Sequence, residues 1–397
     1  MPRVLVVRGH QATPWDLRQW EALPERFDVA YLRTRANGWD VASVALDAVP
    51  VRARRDRLPR GRAGDAAAVL LGDRYEQGAE EAYAGADIVH AEELAYWFSA
   101  DAARAKARHG FRLVQTVWET LPLMEAYRRR GLAPFRAAVL EATDLFLPAT
   151  ERARIGLLLE GVPEGKIEVC SPGIDVERFA RAAQDRATGA AAEHVLVAPG
   201  RLVWEKGHHD ILRALALLHR GIVTRPDGTL VRPRLQIVGA GPEEARLRAH
   251  AAELGLADAV TIGAVPYDDM PGVFARASAL VLGSQSSATA GRHPFDVPRA
   301  FWEEQFGFVF VEAMAAGLDI VATTNGAIPE VLQGNGTLVA AGDHVGMARA
   351  LAAGALSRPP GERVAYPAEL LEHYSVGAFA RRLTAAYDRV LGASAPV

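Results

Sequence analysis

Short apolar runs alternate, along the second half of the chain, with segments whose apolar residues recur at helical spacing. Val195 to Ala198 ends at Pro199-Gly200, and His208 to His219 has the period of a helix buried on one side. Leu235 to Val238 ends at Gly239-Ala-Gly-Pro242, a helix over Glu243 to Leu254 follows, and Val260 to Ile262 precedes a helix over Tyr267 to Ala277. Leu280 to Leu282 leads through a long loop to a helix over Val309 to Ala316, and Ile320 to Ala322 precedes a short helix around Pro329 to Leu332. Strands alternating with helices predict a parallel sheet covered on both faces.

The first half carries the same alternation less sharply. Strands are predicted at Val4 to Val7, Val29 to Leu32, Ile88 to His90, Leu113 to Val117 and Leu145 to Leu147, with helices such as Ala100 to Arg108 between them. Periodicity fades from Ser171-Pro172-Gly173 to about Gly189, which places a domain boundary near residue 185. The expected organisation is 1–185, 186–374 and a final segment 375–397. In the last helix Phe379, Leu383, Tyr387 and Val390 form one stripe that needs a surface to cover.

A chain of 397 residues exceeds the size at which one core keeps growing, in agreement with two domains. The net charge of -3 gives no support to nucleic acid as a partner. The lone cysteine, Cys170, excludes an intrachain disulfide framework and reads as a small buried residue. The N-terminal apolar run is too short for a signal-peptide core, and no window approaches the roughly 20 apolar residues that span a bilayer. The expected location is cytoplasmic, at most peripheral to the inner face of a membrane. Contact with an acidic membrane surface or an anionic acceptor is one reading of two arginine clusters, Arg52 to Arg62 and Arg128 to Arg130; solvated loops are the other.

Three lysines, Lys106, Lys166 and Lys206, stand among 45 basic residues, so each marks a place where arginine did not serve. Lys206 lies in Gly200-Arg-Leu-Val-Trp-Glu-Lys-Gly207, at the carboxyl end of a predicted strand, where open parallel sheets bind ligands. Arg201, Lys206 and flexible glycines suit a diphosphate, helped by the helix that follows; a surface loop is the alternative. Glu304-Gln-Phe-Gly307-Phe308 runs into a helix carrying Glu312. Two carboxylates eight positions apart lie about 12 Å apart on a helix, beyond the roughly 5–9.5 Å of a sugar-hydrolysing pair. They suit the two ends of an elongated polar ligand, and Gly307 leaves the first helical N–H groups bare. Histidines and the cysteine show no metal-ligand spacing, and no metal is expected.

Together these segments closely resemble the donor site of glycosyltransferase family 4, whose signature includes a glutamate, seven residues and a second glutamate. The resemblance includes Gly239-Ala-Gly-Pro-Glu243, Gly326-Ala-Ile-Pro-Glu330 and Gly342-Asp343, and covers most of residues 195 to 345. It implies an α/β fold of the GT-B type, two Rossmann-like domains facing a cleft, with the C-terminal helix packing back toward the N-terminal domain. It implies retaining transfer of a hexose-type sugar from a nucleoside-diphosphate sugar, the co-substrate, without a metal or other cofactor. Arg201 and Lys206 would neutralise the diphosphate, Glu304 would hold hydroxyls of the sugar, and Glu312 the ribose. Gly307 and Phe308 would offer N–H groups, and the nucleobase would lie near Val265. Arg201, Lys206 and Glu304 would carry the catalytic stabilisation.

The N-terminal half resembles the family loosely. Arg8-Gly9-His10 stands where members often have a glycine pair, and Thr116-Val-Trp118-Glu119 where they often have a histidine. Gly9, His10, Glu92, Trp118 and Glu119 are the acceptor-side candidates; His90 and the doublet His208-His209 read as structural, and Glu93 follows Glu92. Rival readings are an epimerase, a phosphorylase, or a non-catalytic subunit that binds sugar nucleotides.

Overall fold

The computed structural model describes residues 1–59, 61, 64, 67, 71–124, 131–185, 193–286 and 302–392. The chain forms two compact units, one of Met1–Gly173 with the segment from Val376, the other of Ile174–Ser375.

The first unit is built on a sheet of seven strands: β1 (Arg3–Val6), β2 (Asp28–Thr34), β3 (Asp47–Ala53), β4 (Tyr75–Gln77), β5 (Ile88–Glu92), β6 (Arg112–Val117) and β7 (Leu145–Pro148). Their order is β4-β3-β2-β1-β5-β6-β7, parallel throughout except where β4 runs antiparallel to β3. Val4, Leu5 and Val6 of central β1 are fully buried, the expected fate of a continuous apolar run covered on both faces. Chain order reverses between β1 and β5, so the carboxyl ends of these two strands flank a topological switch point. Arg8, Gly9, His10, Glu92 and Glu93 all stand there.

Strands β3 and β4 were hidden in the sequence. β3 reads Asp-Ala-Val-Pro-Val-Arg-Ala and is mostly exposed, so neither an apolar run nor clean alternation marks it. Pro50 lies within it, opposite Arg33 of β2. The arginine cluster is therefore partly ordered structure: Arg52 lies in β3, and Arg54–Arg57 form a 3-10 turn in which Arg54 and Arg57 pair with Glu76. Arg60, Arg62 and Arg128 to Arg130 lie outside the described residues.

The second unit has six strands, β8 (Val195–Pro199), β9 (Arg234–Val238), β10 (Val260–Gly263), β11 (Ala279–Leu282), β12 (Asp319–Thr323) and β13 (Thr337–Val339). They are parallel in the order β10-β9-β8-β11-β12-β13, with the switch point between β8 and β11. Helix His208–His219 buries Ile211, Leu212, Leu215 and Leu218 in the core of this unit. The sequence places a boundary near residue 185; the division falls at Gly173 because helix Val176–Asp185 packs within the second unit, with Phe179 5.5 Å from Phe274, centroid to centroid.

Helix Val376–Leu391 belongs to the first unit, where its apolar stripe finds its surface. Phe379, Leu383 and Tyr387 join Trp20, Phe27 and Val6 in one core, and the Trp20 indole N–H donates to the Tyr387 hydroxyl at 3.1 Å. Truncating a fully buried leucine costs about 2–5 kcal/mol. Leu383→Ala is accordingly expected to lower the urea midpoint of the first unit while leaving that of the second within error, read by hydrogen exchange of peptides from each.

Candidate functional site

In the second unit, the loop after β8 brings Lys206 to the carboxyl end of β11. Its ammonium lies 2.7 and 3.0 Å from the two oxygens of Glu304, forming a largely buried ion pair. Glu304 is held from several sides. The Ser284 hydroxyl, just beyond β11, donates to its Oε2 at 2.9 Å; its own N–H donates to Asn325 Oδ1 at 2.7 Å; its carbonyl accepts from the Ala327 N–H at 2.8 Å. Gly326 passes so close that a Cβ there would meet the Glu304 backbone, which is why the Gly326-Ala-Ile-Pro segment begins with glycine. Lys206 also sits 4.7 Å from the centre of the Trp302 ring.

Glu304 precedes helix Phe308–Ala315, so the two glutamates are carried by different local structures. Gly307 caps this helix with φ +82°, a left-handed conformation that glycine adopts freely, and offers no side chain to the first N–H groups. Those groups and the helix dipole favour negative charge. Phe308 opens the helix, half-buried. Glu312 is buried one turn on, accepting a hydrogen bond from the Tyr267 hydroxyl at 2.9 Å. Burial pushes its carboxyl up to about 7, against the opposing pull of that bond and of Arg178. Val265 is half-buried two residues before Tyr267, on the loop after β10.

Arg201 stands apart from this cluster. Its side chain is exposed and makes no ion pair among the described residues; its carbonyl accepts from, or faces, His208 Nε2 at 3.3 Å. The doublet divides in role: burial lowers His208 to about 4, keeping it neutral, while His209 stacks on Trp204 at 3.9 Å. The segment from Ser284 to Ala300, with Arg292 and His293, lies outside the described residues beyond Ser286.

At the switch point of the first unit the buried Arg8 guanidinium donates to Asp16 at 2.7 Å and lies 3.3 Å from Glu92. Glu92 accepts from the Trp118 indole N–H at 3.2 Å, and burial holds its carboxyl above the ordinary glutamate range. Glu93 takes φ +63°, and its Oε1 accepts the backbone N–H groups of Trp118 at 2.8 Å and Glu119 at 3.0 Å. Glu119 itself accepts from the Leu121 N–H at 2.8 Å. Gly9 accepts from the Thr34 hydroxyl through its carbonyl, and His10 is tied through its two ring nitrogens to Thr34 at 2.9 Å and Asp73 at 2.6 Å. His90 is a core histidine between Tyr387 and Thr116, its pKa far below the usual range because burial disfavours the cation.

The structure thus brings Lys206 and Glu304 together and groups Glu92, Trp118 and Glu119 around Glu93. Sequence reasoning missed Ser284, Asn325, Tyr267 and Trp302. Ser284 could have been found as the polar residue directly after a strand at the switch point; the others carry no local signal. Among the described residues no group of three or more His, Cys, Asp or Glu could hold a metal ion.

Residues 181–364 match the model of the family glycosyl transferases group 1. Over 228 residues the chain is 31% identical to a GDP-mannose-dependent alpha-(1-6)-phosphatidylinositol monomannoside mannosyltransferase of Mycobacterium tuberculosis, an alignment covering 55% of this chain and 52% of that protein. The chain therefore spans about half the length of the curated relatives it matches. Sucrose-phosphate synthase of Thermosynechococcus elongatus is similar in structure with a TM-score of 0.70 at 17% identity, covering 99% of this chain and 100% of that one. Anabaena HepE in complex with UDP and glucose gives 0.66 at 17%, over 98% and 100%. The two parallel-sheet units are those of the GT-B fold.

The carboxyl of Glu93 is pushed up to about 8 by burial and by the neighbouring charges of Glu119 and Glu92. Between the ordinary glutamate value of 4.5 and about 8 the folded protein holds a proton that the unfolded chain has lost, so this residue makes stability fall as pH rises through that window and level off above it. Glu93→Gln removes the dependence. Its melting temperature relative to the parent is expected to rise by roughly 8–15 °C between pH 5 and 8.5 in calorimetric scans, and a constant difference would contradict the assignment.

Proposed function

With residues 181–364 matching glycosyl transferases group 1, we propose that the chain is a nucleotide-sugar-dependent glycosyltransferase whose second unit holds the donor. The observation that carries this reading is the Lys206–Glu304 pair at the switch point, beside the N-terminus of helix Phe308–Ala315, to which the Gly307 cap brings no side chain, with buried Glu312 one turn into that helix. Lys206 and those N–H groups take the diphosphate, with exposed Arg201 swinging onto it from the loop. Glu304 holds hydroxyls of a hexose-type sugar, Glu312 the ribose, and the base lies against the loop at Val265. That HepE was solved with UDP and glucose, and that the mycobacterial relative is named for GDP-mannose, supports a nucleoside-diphosphate sugar as co-substrate and gives the first two donors to test.

The reaction replaces the bond from the anomeric carbon to the diphosphate by one to an acceptor hydroxyl, whose proton leaves with or through the departing phosphate. Negative charge grows on that phosphate as the bond opens, and Lys206 with the helix N-terminus stabilises it where it develops. Among the described residues of the site none is placed as a nucleophile, and we assign same-face attack with retained configuration. The acceptor, a glycan, lipid or small molecule, is assigned to the carboxyl end of the first unit's sheet. Peripheral contact with an anionic membrane through Arg52 to Arg62 and Arg128 to Arg130, in the cytoplasm, belongs to the same proposal.

Because cations already on the chain serve the diphosphate, turnover is expected to persist in excess chelator; loss of activity that magnesium or manganese restores would contradict this. The two glutamates separate by role. Glu312→Gln is expected to weaken binding of the free nucleoside diphosphate by about 1.5–3 kcal/mol, the range for a hydrogen bond with a charged partner. Glu304→Gln is expected to leave that binding nearly unchanged and lower donor-saturated turnover instead. Calorimetric titration beside initial rates checks the division, and equal damage to diphosphate binding in both variants would count against it.

A further inference from the structure

Glu93, which follows Glu92 on the crevice side, has unusually constrained surroundings. It immediately follows β5 at the switch point, and only three residues other than glycine, Glu93, Leu123 and Gln333, have positive φ among the described residues. A left-handed conformation at a residue with a Cβ costs on the order of 1–2 kcal/mol, so something must hold it there. Its N–H donates to the Thr116 carbonyl at 2.8 Å, and its carbonyl accepts from Gln115 Nε2 at 2.6 Å, so β6 grips its backbone from both sides. That twist turns the side chain back onto the end of β6, where Oε1 takes two consecutive N–H groups, those of Trp118 and Glu119. Meanwhile Glu92 holds the indole N–H of the same tryptophan. Trp118 is fixed at its backbone by one glutamate and at its ring by the next.

A surface turn needs no such apparatus. Two consecutive buried carboxyls, one on a strained backbone, cost stability that tight packing of apolar residues would not. Among the described residues the second oxygen of Glu93 is buried without a hydrogen-bond partner. The effect of the residue is geometric: it sets where the chain leaves β6 and hence where the half-exposed ring of Trp118 stands. An indole face is suited to the apolar face of a sugar or polyol ring, and the carboxyl of Glu92, held against the indole N–H, stands beside it to meet ring hydroxyls.

We propose that Glu93 is a positioning residue which, with Glu92, fixes Trp118 as the platform on which the ring of an uncharged carbohydrate acceptor packs. The proposal rests on the glycosyltransferase reading above for the word acceptor; the fixing of Trp118 stands on the first unit's geometry alone.

Glu93→Gly is the informative variant, because glycine accepts the left-handed backbone without strain while removing the side chain that takes the two N–H groups. Glu93→Gln keeps an oxygen for the two N–H groups and serves as the conservative rescue. The full chain, labelled with 5-fluorotryptophan, gives a fluorine resonance for Trp118 that is assigned by its disappearance in Trp118→Phe. In Glu93→Gly this resonance is expected to broaden or split, and in Glu93→Gln to remain single near its parent position. With UDP-glucose or GDP-mannose as donor and methyl α-glycosides as acceptor probes, Glu93→Gly is expected to raise the acceptor KM by about tenfold or more while nucleoside diphosphate affinity stays within twofold. An unchanged Trp118 resonance in Glu93→Gly overturns the inference, as does a loss confined to nucleotide binding. If the parent transfers sugar to none of the probes, the acceptor reading fails, and the resonance still decides whether Glu93 fixes Trp118.

Discussion

The second unit is organised around an ion pair that is expensive to keep. Lys206 and Glu304 give up most of their hydration, and their mutual attraction offsets that loss only with good geometry and further hydrogen bonds. Those bonds come from Ser284 beyond β11 and Asn325 beyond β12, while the glycine at 326 lets its strand end approach the Glu304 backbone. Three strand ends must therefore be in register before the pair can exist. A pair with these costs is poor evidence for stability. In the proposed function it is a site in which a cation is held ready for an incoming anion and a carboxylate for incoming hydroxyls.

The same economy governs Glu312. Its buried carboxyl is pushed up to about 7 and accepts a hydrogen bond from one tyrosine hydroxyl. Hydroxyl donors from a bound ribose would favour its ionised form. In the proposed function the donor meets three groups of this unit: the Lys206 ammonium, the N–H groups that follow Gly307, and Glu312.

Much of this was legible in the sequence because the second unit is built from sharply punctuated strand and helix signals, and its chemistry falls at strand ends. Lys206, Glu304, Gly307 and Glu312 could be named from local residue type and spacing. Their partners could not. Ser284, Asn325 and Tyr267 meet the glutamates through strand order, which spacing along the chain does not encode. β3 was missed because Pro50 and an exposed pattern mask a strand lying between two others. Arg201 differs from Lys206: the motif pointed to its charge, and in the structure its side chain is exposed on the loop. In the first unit Glu92, Trp118 and Glu119 were visible as polar residues after strands, but nothing in the sequence marks the left-handed turn at Glu93 that binds them together.

The most direct test of the account is a crystal structure of the chain with UDP or GDP. The account predicts a phosphate oxygen within hydrogen-bond distance of Lys206 Nζ and of the N–H groups at the start of helix Phe308–Ala315, with a ribose hydroxyl on Glu312. A nucleotide bound elsewhere, with Lys206 still paired only to Glu304, would contradict it.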